Sequence, residues 1–102
     1  MDSDNHHAGP SGAWGIATSL RKQGDRDAAR AYYQRAIDSR HEAWAPRAAT
    51  DLADMLAEQG HAAVACSYYQ IAISYGDPAK AGFLYARRAR ERLDALLAGP
   101  HA

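Results

Sequence analysis

Ala31-Tyr32-Tyr33-Gln34-Arg35-Ala36-Ile37 returns as Ser67-Tyr68-Tyr69-Gln70-Ile71-Ala72-Ile73, with 36 residues between the equivalent tyrosines (69 − 33 = 36). The pairs Gln23-Gly24 and Gln59-Gly60 keep the same spacing (59 − 23 = 36). A fixed period in the range of about 20–50 residues marks a stack of equivalent units, each too small to bury its apolar face alone. The repeat therefore decides the architecture before any single residue does.

Working outward from the motif, Asp25 is placed to cap a helix that carries Ala28, Ala29, Tyr32, Tyr33, Ala36 and Ile37 on its apolar face. Ahead of it, Ala13, Ile16, Ala17 and Leu20 mark a first helix, capped by Ser11 and stopped by Gly24. A loop through Arg40-His41-Glu42 and Trp44 follows. Pro46 then suits the first turn of a third helix, where its missing N–H would have no partner anyway. That helix (Ala49, Leu52, Ala53, Leu56, stopping at Gly60) copies the first. The fourth (Val64, Ala65, Tyr68, Tyr69, Ala72, Ile73, ending at Gly76) copies the second. Asp77-Pro78 reads as a cap followed by a first-turn proline. It predicts a fifth helix from about Ala79 to Leu97, with Ala86, Ala89, Leu93, Leu96 and Leu97 along one stripe.

The fold expected is all-α, an antiparallel stack of helix hairpins with short connections. Residues 1–11 read as a disordered tail and 98–102 as a second tail. Between them lies one domain, 12–97: repeat one at about 12–45, repeat two at about 46–77 and a capping helix at about 78–97. Tyr33 and Tyr69 should be deeply packed, and Tyr32 and Tyr68 should sit between repeats or partly in solvent.

Composition agrees. About a quarter of the 102 residues are alanine and only Val64 is valine, which suits close-packed helices. The formal charge is zero, so no overall field draws the chain to nucleic acid or an anionic membrane. Neither a signal-like N-terminus nor an apolar run of about 18 residues is present, and the single Cys66 rules out an internal disulfide. A soluble, cytoplasmic protein is the expectation.

Gly24, Ala29, Tyr33 and Ala36, matched by Gly60, Ala65, Tyr69 and Ala72, resemble the second-helix signature of the tetratricopeptide repeat. The first-helix positions match by size: Ala13, Ile16, Ala17 and Leu20, then Ala49, Leu52, Ala53 and Leu56. Two features depart from the pattern. Ala13 and Ala49 stand where the family has a large aromatic, and the period is longer than the usual 34 or so, toward the related Sel1-like repeats. The phrase Ala36-Ile37-Asp38-Ser39 with Ala45-Pro46-Arg47-Ala48-Ala49 is similar to bacterial arrays of this kind. At a 36-residue offset Leu52 and Leu56 become Arg88 and Arg92, as a solvated capping helix would show.

The resemblance implies a protein–protein interaction adaptor whose concave groove, lined by the first helix of each repeat, binds a partner peptide or domain. Carried over by register, the groove residues are Trp14, Thr18, Arg21 and Lys22, then Arg47, Thr50, Asp54 and Glu58, then Phe83, Arg87 and Arg90. Aromatics at the ends with arginines between them suit a peptide with apolar anchors and a carboxylate. The family's specialised carboxylate clamp uses asparagine, and none follows Asn5. The alternative function is a self-associating structural module, a homodimer formed through an open solenoid edge near Trp14 or Trp44.

Other chemistries find no constellation. Arg87, Arg88, Arg90 and Arg92 are interrupted by Glu91 and Asp94 at helix spacing, predicting Arg87–Glu91 and Arg90–Asp94 pairs on a solvated face. The five histidines are scattered between tails and loops, so no metal site is expected. Cys66 reads as a small packing residue, not a nucleophile. With no phosphate loop or nucleophile elbow, the sequence implies no enzyme, no cofactor and no nucleic-acid partner.

Overall fold

A computed structural model describes residues 9–99. Five helices follow one another: α1 (Pro10–Lys22), α2 (Arg26–Asp38), α3 (Trp44–Glu58), α4 (Ala62–Ile73) and α5 (Phe83–Ala98), with no strand among the described residues. Each packs against the next in chain order, and α3 also touches α1 and α5. Helices α1, α3 and α5 thus form one layer, with α2 and α4 behind them.

Local chemistry sets the ends of these helices. Gly24 and Gly60 both take φ +87°, a left-handed conformation that an L side chain resists. Asp25 caps α2 by accepting from the backbone N–H of Ala28 at 3.2 Å. Ser11 does not cap α1. That helix begins two residues earlier, with Gly9 as the cap and Pro10 in the first turn. Trp44 lies in the first turn of α3 instead of the loop, because the His41 ring nitrogen accepts from the N–H groups of Ala43 and Trp44 and starts the helix there. Of the tails expected over residues 1–11 and 98–102, residues 1–8 and 100–102 lie outside the described residues, whereas Pro10 and Ser11 belong to α1 and Ala98 to α5.

Asp77-Pro78 starts a turn, not the fifth helix. The Asp77 carboxylate accepts from Ala79 N at 2.9 Å and its carbonyl accepts from Lys80 N at 2.9 Å, closing the chain on itself. Helix α5 begins at Phe83, after the buried Gly82. This turn also changes the register. The buried Ala86, Ala89 and Leu93 answer to Ala49, Leu52 and Leu56 at a spacing of 37, not 36 (86 − 49 = 37). Leu52 and Leu56 therefore correspond to Ala89 and Leu93, not to Arg88 and Arg92.

The core runs along α3, whose nine buried residues make it the axis of the stack. Alanines 13, 17, 29, 36, 48, 49, 53, 65 and 72 line the helix contacts at 1 % exposure or less, which lets the backbones approach closely. Tyr33 and Tyr69, 0 % and 3 % exposed, fill the gaps those alanines leave. A fully buried aromatic of this size contributes about 2–3 kcal/mol from its apolar body. Tyr32 and Tyr68 are half-buried, and the Tyr68 hydroxyl donates across the repeat boundary to Gln34 Oε1 at 2.6 Å. Ile16 and Val64, placed by periodicity on apolar faces, are each 39 % exposed. By repeat register Ile16 is the counterpart of the fully buried Leu52, but no helix among the described residues covers it.

Candidate functional site

Three stripes meet on the exposed side of the α1–α3–α5 layer. On α1 the stripe is Trp14, Thr18 and Arg21, and on α3 it is Arg47, Asp51, Asp54 and Glu58, each set by steps of three and four residues. On α5 it is Tyr85, Arg88 and Arg92. Hydrogen bonds and ring contacts between these stripes define a single face with two unlike ends.

One end is aromatic and cationic. The Arg47 guanidinium lies over the rings of Trp14, Trp44 and Tyr85, with its carbon 4.1, 5.1 and 5.3 Å from the three centroids. The two indoles pack together at 5.5 Å, tilted by 46°. Trp14 is fixed in place because its Nε1–H donates to Asp51 Oδ2 at 2.6 Å. Each guanidinium–ring contact contributes roughly 0.5–2 kcal/mol according to how dry it is. Arg88 approaches the other side of the cluster, 5.5 Å from the Tyr85 centroid.

The other end is charge-balanced. Arg21 donates to Glu58 Oε2 at 3.0 Å and to the backbone carbonyl of Asp51 at 3.4 Å. Asp54 Oδ1 accepts from the Tyr69 hydroxyl at 2.5 Å, while Oδ2 pairs with Arg92. Burial pushes the Asp54 carboxyl above its ordinary value of 3.8, and the Tyr69 hydroxyl and Arg92 pull it only part of the way back. Burial, reinforced by the bond to Asp54, also raises the Tyr69 phenol. The equivalent tyrosine of the first repeat has a neutral partner: the Tyr33 hydroxyl lies 3.2 Å from Thr18 Oγ1.

Of the residues assigned to the groove from sequence, Trp14, Thr18, Arg21, Arg47, Asp54 and Glu58 come together on this face. Lys22 is exposed at the end of α1 and takes no part in these contacts. Thr50 is displaced from it: only 1 % exposed, it donates its hydroxyl to the Pro46 carbonyl at 2.8 Å and lies 3.4 Å from the Tyr85 carbonyl. Phe83, Arg87 and Arg90 line a different, shallow groove with Ile73, Gly76 and Ala86, at the edge shared by α4 and α5. The one-residue register change rotates α5 by about 100°, which carries these three side chains off the shared face and brings Tyr85, Arg88 and Arg92 onto it. No Arg87–Glu91 or Arg90–Asp94 ion pair forms among the described residues; Arg92 reaches Asp54 on α3 instead.

Sequence reasoning missed Asp51, Tyr85, Arg88 and Arg92 as members of the site, and placed Trp44 in a loop. Asp51 carried a usable signal, since it lies one helical turn from Arg47 and on the same stripe. The α5 residues carried none until the length of the turn after Gly76 was known.

Among the described residues no helix is long and apolar enough to cross a membrane, and no group of three or more His, Cys, Asp or Glu residues is arranged to hold a metal ion. Comparison of the chain with protein-family models, with curated proteins and with solved structures returned no match.

Proposed function

We propose that this chain is a tetratricopeptide-like interaction adaptor, of a bacterial and cytoplasmic kind, that binds a partner peptide or domain on the face of α1, α3 and α5. The observation that carries the reading is the cluster of Trp14, Trp44 and Tyr85 around Arg47. Half-buried aromatics with an arginine at their centre are the residue types that dominate the energy of protein interfaces. Trp14 packs partly against the core, whereas Trp44 and Tyr85 lie outside it, so the cluster extends from the core onto the exposed face. Catalysis is not part of the proposal, since the face offers no nucleophile beside a base.

Selection of displayed peptides on the wild-type protein, followed by nuclear magnetic resonance mapping of the selected binders, tests the reading. Shifts centred on Trp14, Arg47 and Tyr85, and at least tenfold weaker binding by Trp14→Ala with its helix content intact, are the expected results. Shifts confined to α2 and α4 would remove the face from consideration.

A second reading, self-association, draws on the groove lined by Ile73, Phe83, Arg87 and Arg90, which no other helix among the described residues fills. Light scattering across a concentration series separates the two. A monomer at all concentrations rejects the second, while a dimer that dissociates on Phe83→Glu supports it.

A further inference from the structure

We infer that the aromatic end of the shared face is a receptor for a single peptide carboxylate, with Arg47 as its anchor; this rests on the interaction face proposed above and names the chemistry of its partner. Arg47 is half-buried, with three rings packed around its guanidinium carbon. Rings held over a guanidinium by cation–π attraction offer its N–H groups no carboxylate or carbonyl acceptor. Those donors have no acceptor among the described residues. The ion pairs found there join Arg21 to Glu58, Lys80 to Glu42 and Arg92 to Asp54. The carboxylate nearest in register, Asp51, is committed to the Trp14 indole and does not pair with Arg47. A rigid, partly dehydrated fork without an acceptor is matched best by a planar carboxylate, which takes two of its N–H groups at once.

The rest of the face decides between a carboxylate and a polyanion. On the α3 stripe beyond Arg47, Asp51 is taken by Trp14 while Asp54 and Glu58 are paired with Arg92 and Arg21, so a phosphate chain laid along it would meet carboxylates and no free cation within one or two turns. A lone acidic side chain avoids them. The same rings that hold Arg47 offer apolar surface to its neighbours, as does Leu84, which is 64 % exposed just before Tyr85. The ligand is therefore one Asp or Glu flanked by apolar residues, with no second acidic residue on the Glu58 side.

The probes are the blocked peptides Ac-Leu-Phe-Glu-Leu-NH2 and Ac-Leu-Phe-Gln-Leu-NH2, titrated into the full chain while the Arg47 Nε–H and the two indole N–H resonances are followed. The Glu peptide should produce saturable shifts at all three, and the Gln peptide should bind about tenfold more weakly, the value of a charge-assisted hydrogen bond. Because both peptides meet the wild-type protein, the comparison needs no variant. Arg47→Lys then tests the fork: it keeps the charge and should still lose most of the preference for Glu. Equal affinity for the two peptides, or absence of saturable shifts at Arg47, overturns the inference. So does tighter binding of inorganic phosphate or of a short single-stranded oligonucleotide at Arg47. If both peptides shift Trp14 and Tyr85 equally, the carboxylate receptor fails while the interaction face stands; if neither shifts any residue of α1, α3 or α5, both fail.

Discussion

Replacing Gly82 by alanine should destabilise the protein by about 2 kcal/mol through steric exclusion alone. A Cβ at this position would lie 2.4 Å from the Glu42 carbonyl oxygen, 2.6 Å from Pro46 Cγ and 3.3 Å from Tyr75 Cβ. Carbon contacts are most favourable at about 3.5–4.0 Å, so the start of α5 must retreat by roughly 1 Å or more from the start of α3. The backbone itself does not require glycine, since Gly82 has φ −82° and ψ −2°, open to any residue. Overpacking of this kind costs about 1–3 kcal/mol, and here the obstacle is a main-chain carbonyl and a proline ring, neither of which can rotate away. The loss of unfolded-chain freedom on adding a methyl returns only about 0.4–1 kcal/mol. For a domain of this size a net 2 kcal/mol lowers the melting temperature by about 8–16 °C. Urea denaturation followed by helical circular dichroism measures the change. The matched control is Gly15→Ala in α1, where nothing lies within 4 Å of the new Cβ and the substitution should stabilise by about 0.5–1 kcal/mol. A Gly82→Ala protein as stable as wild type would refute the reasoning, because the close approach of α5 to α3 would then not be fixed. The same retreat should move Tyr85 away from Arg47 and alter the indole N–H shifts, linking this packing contact to the interaction face.

Tyr69→Phe should cost about 1–3 kcal/mol, because it leaves half-buried Asp54 short of a donor, whereas Tyr33→Phe loses a long contact with Thr18 and its approach to Arg21, which keeps Glu58 and the Asp51 carbonyl, and should cost under about 1 kcal/mol; equal losses in urea denaturation would contradict the assigned partners. Asp54 should titrate above 3.8 in a carbon-detected carboxyl titration. Because its folded pKa is raised, its contribution to stability grows as pH falls through that value and is complete below 3.8. The stability difference between wild type and Asp54→Asn should therefore shift in favour of wild type on acidification, and the opposite slope would reject the assignment. Arg40 holds φ 57° without being glycine, so Arg40→Gly should be neutral or stabilise by up to about 1 kcal/mol, and a clear loss in the same assay would show that the Arg40 side chain has a stabilising role of its own.

How much of this was legible in advance differs between fold and face. Tyr33 and Tyr69, the stops at Gly24 and Gly60 and the cap at Asp25 follow from local rules: helical periodicity, the left-handed freedom of glycine and a carboxylate reaching a free N–H. These hold within a few residues of sequence and survive in any tertiary setting. The α1 and α3 members of the face other than Asp51 came from the groove positions that the resemblance implies, carried through the 36-residue register that the first two repeats keep.

Helix α5 escaped that reasoning. Asp77-Pro78 is as good a turn as it is a helix start, and only the docking of Gly82 against Glu42 and Pro46 fixes where the helix begins. One residue of slip rotates a helix by about 100°, enough to exchange Phe83, Arg87 and Arg90 for Tyr85, Arg88 and Arg92. The sequence by itself determined a stack of helical hairpins packed through alanine and tyrosine, because period and propensity are local quantities. The tertiary structure alone decided that Arg47 sits among Trp14, Trp44 and Tyr85 while Thr50 is sealed beneath them, because that outcome depends on the rotation of three helices about their axes, which close packing sets and periodicity does not.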